Sequence, residues 1–186
     1  MNYAVIKNCD IANGPGVRVS LFVSGCRRHC KNCFNKEAWD FSYGKSYTDE
    51  VLEKIIADLK PSYISGFSLL GGEPFEPENQ PDVLKTVKEI KKRLPEKSIW
   101  VYTGFLYDNQ LLKGEVGDPS IVNEILENID VLVDGPFIEE QKRLDLIFRG
   151  SANQRIIDVP KSLKAGSVIL LDGVWERKMG SVNIYE

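Results

Sequence analysis

The sequence predicts an α/β fold with a mostly parallel sheet, in a single domain that covers residues 1–186. Three observations support this prediction. Strand-like and helix-like segments alternate along the chain, which is typical of parallel sheets with crossover helices. The chain has 186 residues, which suits one domain but falls short of the roughly 200 residues that a complete eightfold α/β barrel needs. Its 42% hydrophobic and 27% charged residues are ordinary for a globular protein.

Segments rich in β-branched and aromatic residues predict the strands. The first four are 17–23, 64–70, 99–102 and 131–133, and the later candidates are 156–159 and 168–171. The segment 182–185 is a further candidate for the sheet or for an edge hairpin. It lies in a C-terminal part, 160–186, whose role the sequence leaves open.

Three helices are predicted between the strands. Thr48 is a candidate N-cap, because its hydroxyl can accept a bond from an unpaired N–H of the first turn. Pro81 and Pro119 suit the start of a helix, where the N–H that proline lacks would have no partner. Apolar residues then recur at helical spacing after each of these starts. The stretch 106–117 is the expected flexible insertion.

Charge and composition exclude several function classes. The 24 basic and 27 acidic residues give a formal net charge of −3, which argues against a protein that binds nucleic-acid phosphates. No apolar run approaches the ~18 residues of a membrane span. The N-terminus lacks the basic and apolar regions of a secretion signal. We therefore expect a cytoplasmic protein without nucleic-acid or membrane partners.

Polar and glycine-rich residues follow the predicted strands at the point where each strand ends. Cys26 comes after the first strand, a Gly-Gly-Glu-Pro turn at 71–74 after the second, Thr103 after the third and Asp134 after the fourth. Ligands of parallel α/β folds bind at the carboxyl ends of strands. These residues are therefore predicted to line one rim of the sheet.

Three of the four cysteines, Cys26, Cys30 and Cys33, form a C-x3-C-x2-C motif. So tight a group closes no long loop, which indicates a metal or redox site rather than a disulfide framework. Three thiolates on one loop suit a [4Fe–4S] cluster with one iron left without a protein ligand. Cys9 is expected to be a packed or idle thiol. Three cations inside the motif are expected to lower the thiol pKa values. They are Arg27, Arg28 and Lys31.

Two other interpretations of the motif stay open. Zinc would need His29 or Cys9 as its fourth ligand, and His29 is adjacent to Cys30, which strains a tetrahedral site. A thioredoxin-like dithiol of Cys30 and Cys33 would leave Cys26 unexplained.

The cysteine motif and the Gly-Gly-Glu-Pro turn together resemble the radical S-adenosylmethionine (SAM) enzymes. The resemblance implies an incomplete, open (β/α) barrel in which the three cysteines hold a [4Fe–4S] cluster. It implies that the methionine end of SAM is bound by Gly71, Gly72 and Glu73. In this family the reduced cluster cleaves SAM to give a 5′-deoxyadenosyl radical. No catalytic residue is then expected beyond the cluster and the cofactor.

Further strings narrow the resemblance. Asn-Gly-Pro-Gly-Val-Arg at 13–18 is similar to the start of activases of glycyl-radical enzymes. Asp-Gly-Pro-Phe at 134–137 and Arg-Gly-Ser-Ala-Asn-Gln-Arg at 149–155 resemble the activases of anaerobic ribonucleotide reductase. The resemblance implies that the substrate is a glycine on the large subunit of that reductase, which becomes a glycyl radical. It also implies a reducing electron carrier such as flavodoxin.

The same resemblance suggests further cofactor contacts. Asp134 is predicted to face SAM, directly or through a bound cation, although strand-end aspartates often bond only to local backbone. Ser151 and Asn153 are predicted to bind the cofactor. Phe34 is expected to stack on adenine, because the residue before Cys33 is not the aromatic that many family members have there.

Two competing functions stay open at this point. An activase of another glycyl-radical enzyme, of the formate-lyase type, would use the same chemistry. The string at 149–155 and the short chain favour the reductase. A non-enzymatic metal-binding interaction module would have no use for the Gly-Gly-Glu-Pro turn. The short chain also suggests a barrel left open so that a protein substrate can supply the missing wall.

Overall fold

The computed structural model describes residues 1–173 and 175–176. Its strands are β1 (Asn2–Asp10), β2 (Val17–Val23), β3 (Lys45–Ser46), β4 (Ile64–Gly71), β5 (Ser98–Tyr102), β6 (Val131–Asp134) and β7 (Arg155–Asp158). Its α-helices are α1 (Asp49–Leu59), α2 (Gln80–Arg93), α3 (Pro119–Glu127) and α4 (Val159–Ala165). Short 3-10 turns lie at Lys36–Trp39 and Glu139–Gln141.

All seven strands form one sheet in the order β3-β1-β2-β4-β5-β6-β7. The four central strands β2, β4, β5 and β6 are parallel. The outer pairs β1–β2, β1–β3 and β6–β7 are antiparallel. Over the described residues the edge strands β3 and β7 do not pair with each other, so the sheet is open. The predicted α/β fold with an unclosed, mostly parallel sheet is confirmed.

One face of the sheet is apolar and is covered by helices. The strand register aligns Leu21 with Leu69 and Val101 with Leu132, and all four side chains are fully buried. They join the apolar side chains of α1, α2 and α3 in one core. Burying each such side chain contributes about 1.5–3 kcal/mol. No described helix has the length and apolar character needed to cross a membrane.

The opposite face of the sheet is polar and aromatic. Ser20, Ser68 and Trp100 occupy one row across β2, β4 and β5. Because successive side chains of a strand point to opposite faces, Leu70 and Tyr102 lie on this same face further along their strands. Helices leave this face uncovered near the carboxyl ends of the parallel strands, where both side chains line a cleft.

Several elements differ from the predictions. β1, β3 and α4 were not predicted, since β1 is mostly polar or half-exposed and α4 has only seven residues. The candidate strand at 168–171 is reduced to a single bridge between Leu170 and Ile157. The stretch 106–117 contains a π-helical turn at Tyr107–Leu111 with two buried side chains. The candidate at 182–185 lies outside the described residues.

Arg18 lies fully buried on the polar face. Its Nε donates to Ser68 Oγ at 2.7 Å, and its Nη2 donates to the carbonyls of Phe67 at 2.7 Å and Ser98 at 2.8 Å. Burial lowers the pKa of the guanidinium to about 10, and the charge is held by neutral acceptors. One side chain of β2 thus joins β4 and β5.

Replacing Arg18 with methionine should destabilise the protein strongly. Arg18→Met keeps much of the volume but removes the donor to the Phe67 and Ser98 carbonyls and to Ser68 Oγ, so we expect a loss of about 3 kcal/mol in the free energy of unfolding. Urea unfolding at pH 7 measures it. Arg93→Met removes an arginine that pairs with Glu53 at the surface and should cost much less. Equal losses would contradict the role given to Arg18.

Candidate functional site

A cleft of about 480 Å³ opens at the carboxyl ends of the parallel strands. Residues that follow all four of these strands line it: Cys26 after β2, Gly71 at the end of β4, Thr103 after β5 and Gly135 after β6. The predicted common rim is present in part, with Gly135 lining the cleft in place of Asp134. The loop between β6 and β7 forms one wall of the cleft.

The three motif cysteines share this cleft. Cys26, Cys30 and Cys33 all line it, and all three are free thiols. The loop turns sharply, with φ of 46° at His29 and 56° at Asn32, which are residue types that tolerate the left-handed region. In the described part of the chain, no three His, Cys, Asp or Glu side chains are grouped to hold a single metal ion. Thiols spread over one loop fit a multi-iron cluster, where each binds a different iron.

The predicted effect of the loop's cations on the thiols is wrong for Cys26. Burial raises the pKa of the Cys26 thiol to about 11. The cations have partners of their own: Arg27 donates to Glu76 at 2.6 Å, and Lys31 pairs with Glu140 at 3.0 Å. The charges of Arg27 and Lys31 are therefore largely compensated by carboxylates.

The two glycines of the Gly-Gly-Glu-Pro turn pack backbone against backbone. Gly71 has φ of 115°, and the N–H of Gly72 donates to the carbonyl of Val23 at 2.7 Å. A Cβ on Gly72 would lie 2.5 Å from the carbonyl oxygen of Gly25. Both glycines line the cleft. Glycine is required here because the backbone of the turn lies against the backbone at the end of β2. This requirement is separate from any contact with a ligand.

Glu73 is fully buried and binds the end of β5. Its carboxylate accepts from the Thr103 hydroxyl and the Gly104 N–H at 2.8 Å each, and from the Phe75 N–H at 3.0 Å. Burial raises the pKa of this carboxyl to about 7, against the opposing effect of these hydrogen bonds. The carboxylate lies behind the cleft lining, and its contact with the methionine end of SAM stays a prediction.

Asp134 is also fully buried, with both oxygens occupied. Its carboxylate accepts from Nε and Nη2 of Arg155, with Nε at 2.9 Å, and from the Tyr107 N–H at 2.8 Å. Arg155 also pairs with Asp108 at 2.9 Å. At this strand end the cleft lining includes Gly135 but not Asp134. The predicted approach of Asp134 to the cofactor stays a prediction.

The string at 149–155 holds the loop that follows β6. Ser151 Oγ accepts from the Ile138 N–H at 3.2 Å, and Asn153 Nδ2 donates to the Pro136 carbonyl at 2.8 Å. Ser151 and Asn153 are not part of the cleft lining, so their cofactor role stays a prediction. Three other members of the string line the cleft: Arg149, Gly150 and Gln154.

Aromatic side chains surround the cleft. Phe34 lies at its edge and is 85% exposed. Four further aromatic residues line the cleft and were not predicted as site residues: Trp39, Tyr102, Phe137 and Phe148. Tyr102 and Phe137 could have been found, because Tyr102 precedes the selected Thr103 and Phe137 ends the selected string at 134–137. No sequence feature marks Trp39 and Phe148, and only the tertiary packing of the chain brings them to the cleft.

Comparison with known sequences identifies the family. The profile of the 4Fe-4S single cluster domain family matches residues 12–157. A Vibrio cholerae protein named anaerobic ribonucleoside-triphosphate reductase-activating protein is 46% identical over 158 residues, which cover 84% of this chain and 97% of the relative. The chain belongs to the family of anaerobic ribonucleoside-triphosphate reductase-activating proteins.

Other members of this family have the same name and a similar extent. The Escherichia coli K12 relative is 42% identical over 83% of this chain and 96% of its own length. The relative from Enterobacteria phage T4 is 37% identical over 84% of this chain and 93% of its own length. The resemblance to activases is thereby confirmed. The iron–sulfur domain match favours a cluster over the zinc and dithiol interpretations.

The buried Glu73 should give the protein a distinctive pH dependence. A folded pKa near 7, above the ordinary 4.5, means that the folded state binds the proton more tightly than the unfolded state. The contribution of Glu73 to stability is therefore present at low pH and lost as the pH rises towards and through 7, by up to about 1.4 kcal/mol per pH unit.

Urea unfolding between pH 5 and pH 8 tests this. The unfolding free energy of wild type minus that of Glu73→Gln should fall as the pH rises from 5 to 7 and level off towards pH 8. Glu53→Gln, at an exposed position whose pKa is lowered by Arg93, should show no such trend. If the difference between wild type and Glu73→Gln is independent of pH, the raised pKa of Glu73 is refuted.

Proposed function

We propose that the protein is a radical SAM activase that generates a glycyl radical on anaerobic ribonucleotide reductase, using a [4Fe–4S] cluster to cleave SAM. The observation that carries the proposal is the meeting of three free thiols with the Gly71-Gly72 turn in one cleft. The names of the relatives support the reductase as the target. The match to an iron–sulfur domain supports the cluster.

The donor set fits the cluster. Cys26, Cys30 and Cys33 would each bind one iron, and no fourth cysteine lines the cleft, since Cys9 is exposed on β1. When bound together, the reduced cluster and SAM supply a 5′-deoxyadenosyl radical that removes a hydrogen atom from the target glycine. The chain itself would bind and orient the two groups.

The remaining lining suits an amphipathic cofactor. Backbone groups of Gly71 and Gly72 would contact the amino acid end of SAM. Aromatic side chains such as Phe34 would stack on its adenine. Two polar groups of the 149–155 string, Arg149 Nε and Asn153 Oδ1, are buried and have no hydrogen-bond partner among the residues that the structure describes. Unpaired buried polar groups are costly, which supports a ligand at this loop and the predicted contact of Asn153 with the cofactor. The predicted cofactor contacts of Ser151 and Asp134 are part of the same proposal.

The architecture fits a protein substrate. Helices on one face and a cleft on the other suit an open (β/α) barrel of radical SAM type. We propose that the open side admits the glycine-bearing segment of the reductase, and that a carrier such as flavodoxin supplies the electron in the cytoplasm. An activase of the formate-lyase type is the alternative within the same chemistry.

Cysteine variants test the cluster. After anaerobic reconstitution with iron and sulfide, Cys30→Ala should lose most of the cluster absorbance and all cleavage of SAM to methionine and 5′-deoxyadenosine. Cys9→Ala should keep both, because this thiol lies away from the cleft. Cluster-loaded wild type that yields no 5′-deoxyadenosine would overturn the radical mechanism, and zinc-filled protein with full activity would overturn the cluster itself.

Electron paramagnetic resonance tests the target. Reduced, SAM-supplied protein mixed with the large subunit of anaerobic ribonucleotide reductase should give a glycyl-radical signal. A formate lyase in its place is the control and should give at most a few per cent of that signal. A stronger signal on the formate lyase would favour the alternative activase.

A further inference from the structure

Two residues near the C-terminus, Trp175 and Glu176, lie against the cleft wall. The Ile147 N–H donates to the Trp175 carbonyl at 2.9 Å, and Leu146 forms a bridge with Glu176. The Trp175 ring lies 6.0 Å from that of Phe148. Both residues fall outside the family match at 12–157, so the family relationship assigns them no role.

Glu176 joins two arginines of the wall. Its carboxylate accepts from Nη2 of Arg149 at 3.1 Å and from Nη2 of Arg143 at 3.2 Å. Arg149 lines the cleft and donates through Nη1 to the Gln154 carbonyl at 3.0 Å. Within the described residues, its Nε is one of the buried donors that have no protein acceptor. Glu176 therefore fixes a guanidinium that keeps one N–H available to a ligand.

The position of the cleft wall depends on contacts with other parts of the chain. Residues 143–150 contain no helix or strand, so their own backbone hydrogen bonds do not set their position. The 149–155 string fixes one end, through Ser151 and Gln154. Trp175 and Glu176 brace the middle, with Trp175 also packed 6.0 Å from Trp100 of β5. Phe148 of the wall itself lies 5.7 Å from Trp100, so the three rings together tie the wall to the sheet.

We infer that Trp175 and Glu176 form a clamp that holds the cleft wall, with Arg149 in it, in the position that binds SAM. The inference rests on the proposed function and assigns both as positioning residues. A loop fixed before binding loses less conformational entropy when the ligand arrives. Releasing the clamp should therefore weaken cofactor binding while leaving the cysteine loop, which Trp175 and Glu176 do not contact in the described structure, able to hold its cluster.

Two variants test the clamp, each with a matched control. Glu176→Gln keeps the shape and removes the charge, and Asp172→Asn makes the same change at an exposed position of the same segment. Trp175→Ala removes the ring, and Trp175→Phe restores an aromatic contact. SAM binding to cluster-loaded protein is measured by anaerobic calorimetry. Hydrogen exchange of residues 143–150 is measured without SAM.

We expect Glu176→Gln and Trp175→Ala to weaken SAM binding by about three- to tenfold and to speed exchange of 143–150 several-fold. Cluster content should stay at the wild-type level. Asp172→Asn should match wild type, and Trp175→Phe should recover most of the affinity. Wild-type affinity and exchange in both clamp variants would overturn the clamp and leave the proposed function intact. Cluster-loaded wild type that fails to bind SAM would overturn the proposed function instead.

Discussion

The buried carboxylate of Glu73 is the interaction on which the site's geometry depends. A carboxylate without water needs hydrogen-bond donors, and these come from the Thr103 hydroxyl and the N–H groups of Phe75 and Gly104. The Glu73 N–H also donates to the carbonyl of Gly25 at 2.8 Å. One residue thus joins the ends of β2, β4 and β5, which places the cysteine loop beside the glycine turn.

The two faces of the sheet divide stability from function. On one face, apolar strand and helix side chains form the continuous core. On the other face, the Arg18 network and an aromatic cluster around Trp100 fill the region away from the strand ends. No helix of the described residues covers the carboxyl ends, and there the loop after β6 forms a wall. An open sheet of this kind leaves one side of the cleft free for a large substrate.

The string at 149–155 shows how one motif can serve the fold and the site together. Ser151 and Asn153 bond to the backbone of the loop after β6, whereas Arg149 and Gln154 reach the cleft. The sequence singles out the string as a unit but does not separate its members. Hydroxyl and amide side chains bind backbone and ligands with the same groups, and only their positions in three dimensions distinguish the two uses.

The sequence by itself determined the four parallel strands, the helices α1 to α3, and the meeting of the cysteine motif with the glycine turn. These follow from local periodicity and from the rule that parallel strands end at one rim. Tertiary structure decided the rest: the enclosure of Glu73 and Asp134, the aromatic lining from Trp39 and Phe148, and the bracing of the wall by Glu176. Burial and pairing between residues far apart in the chain are properties of the packed molecule, because each depends on several elements at once.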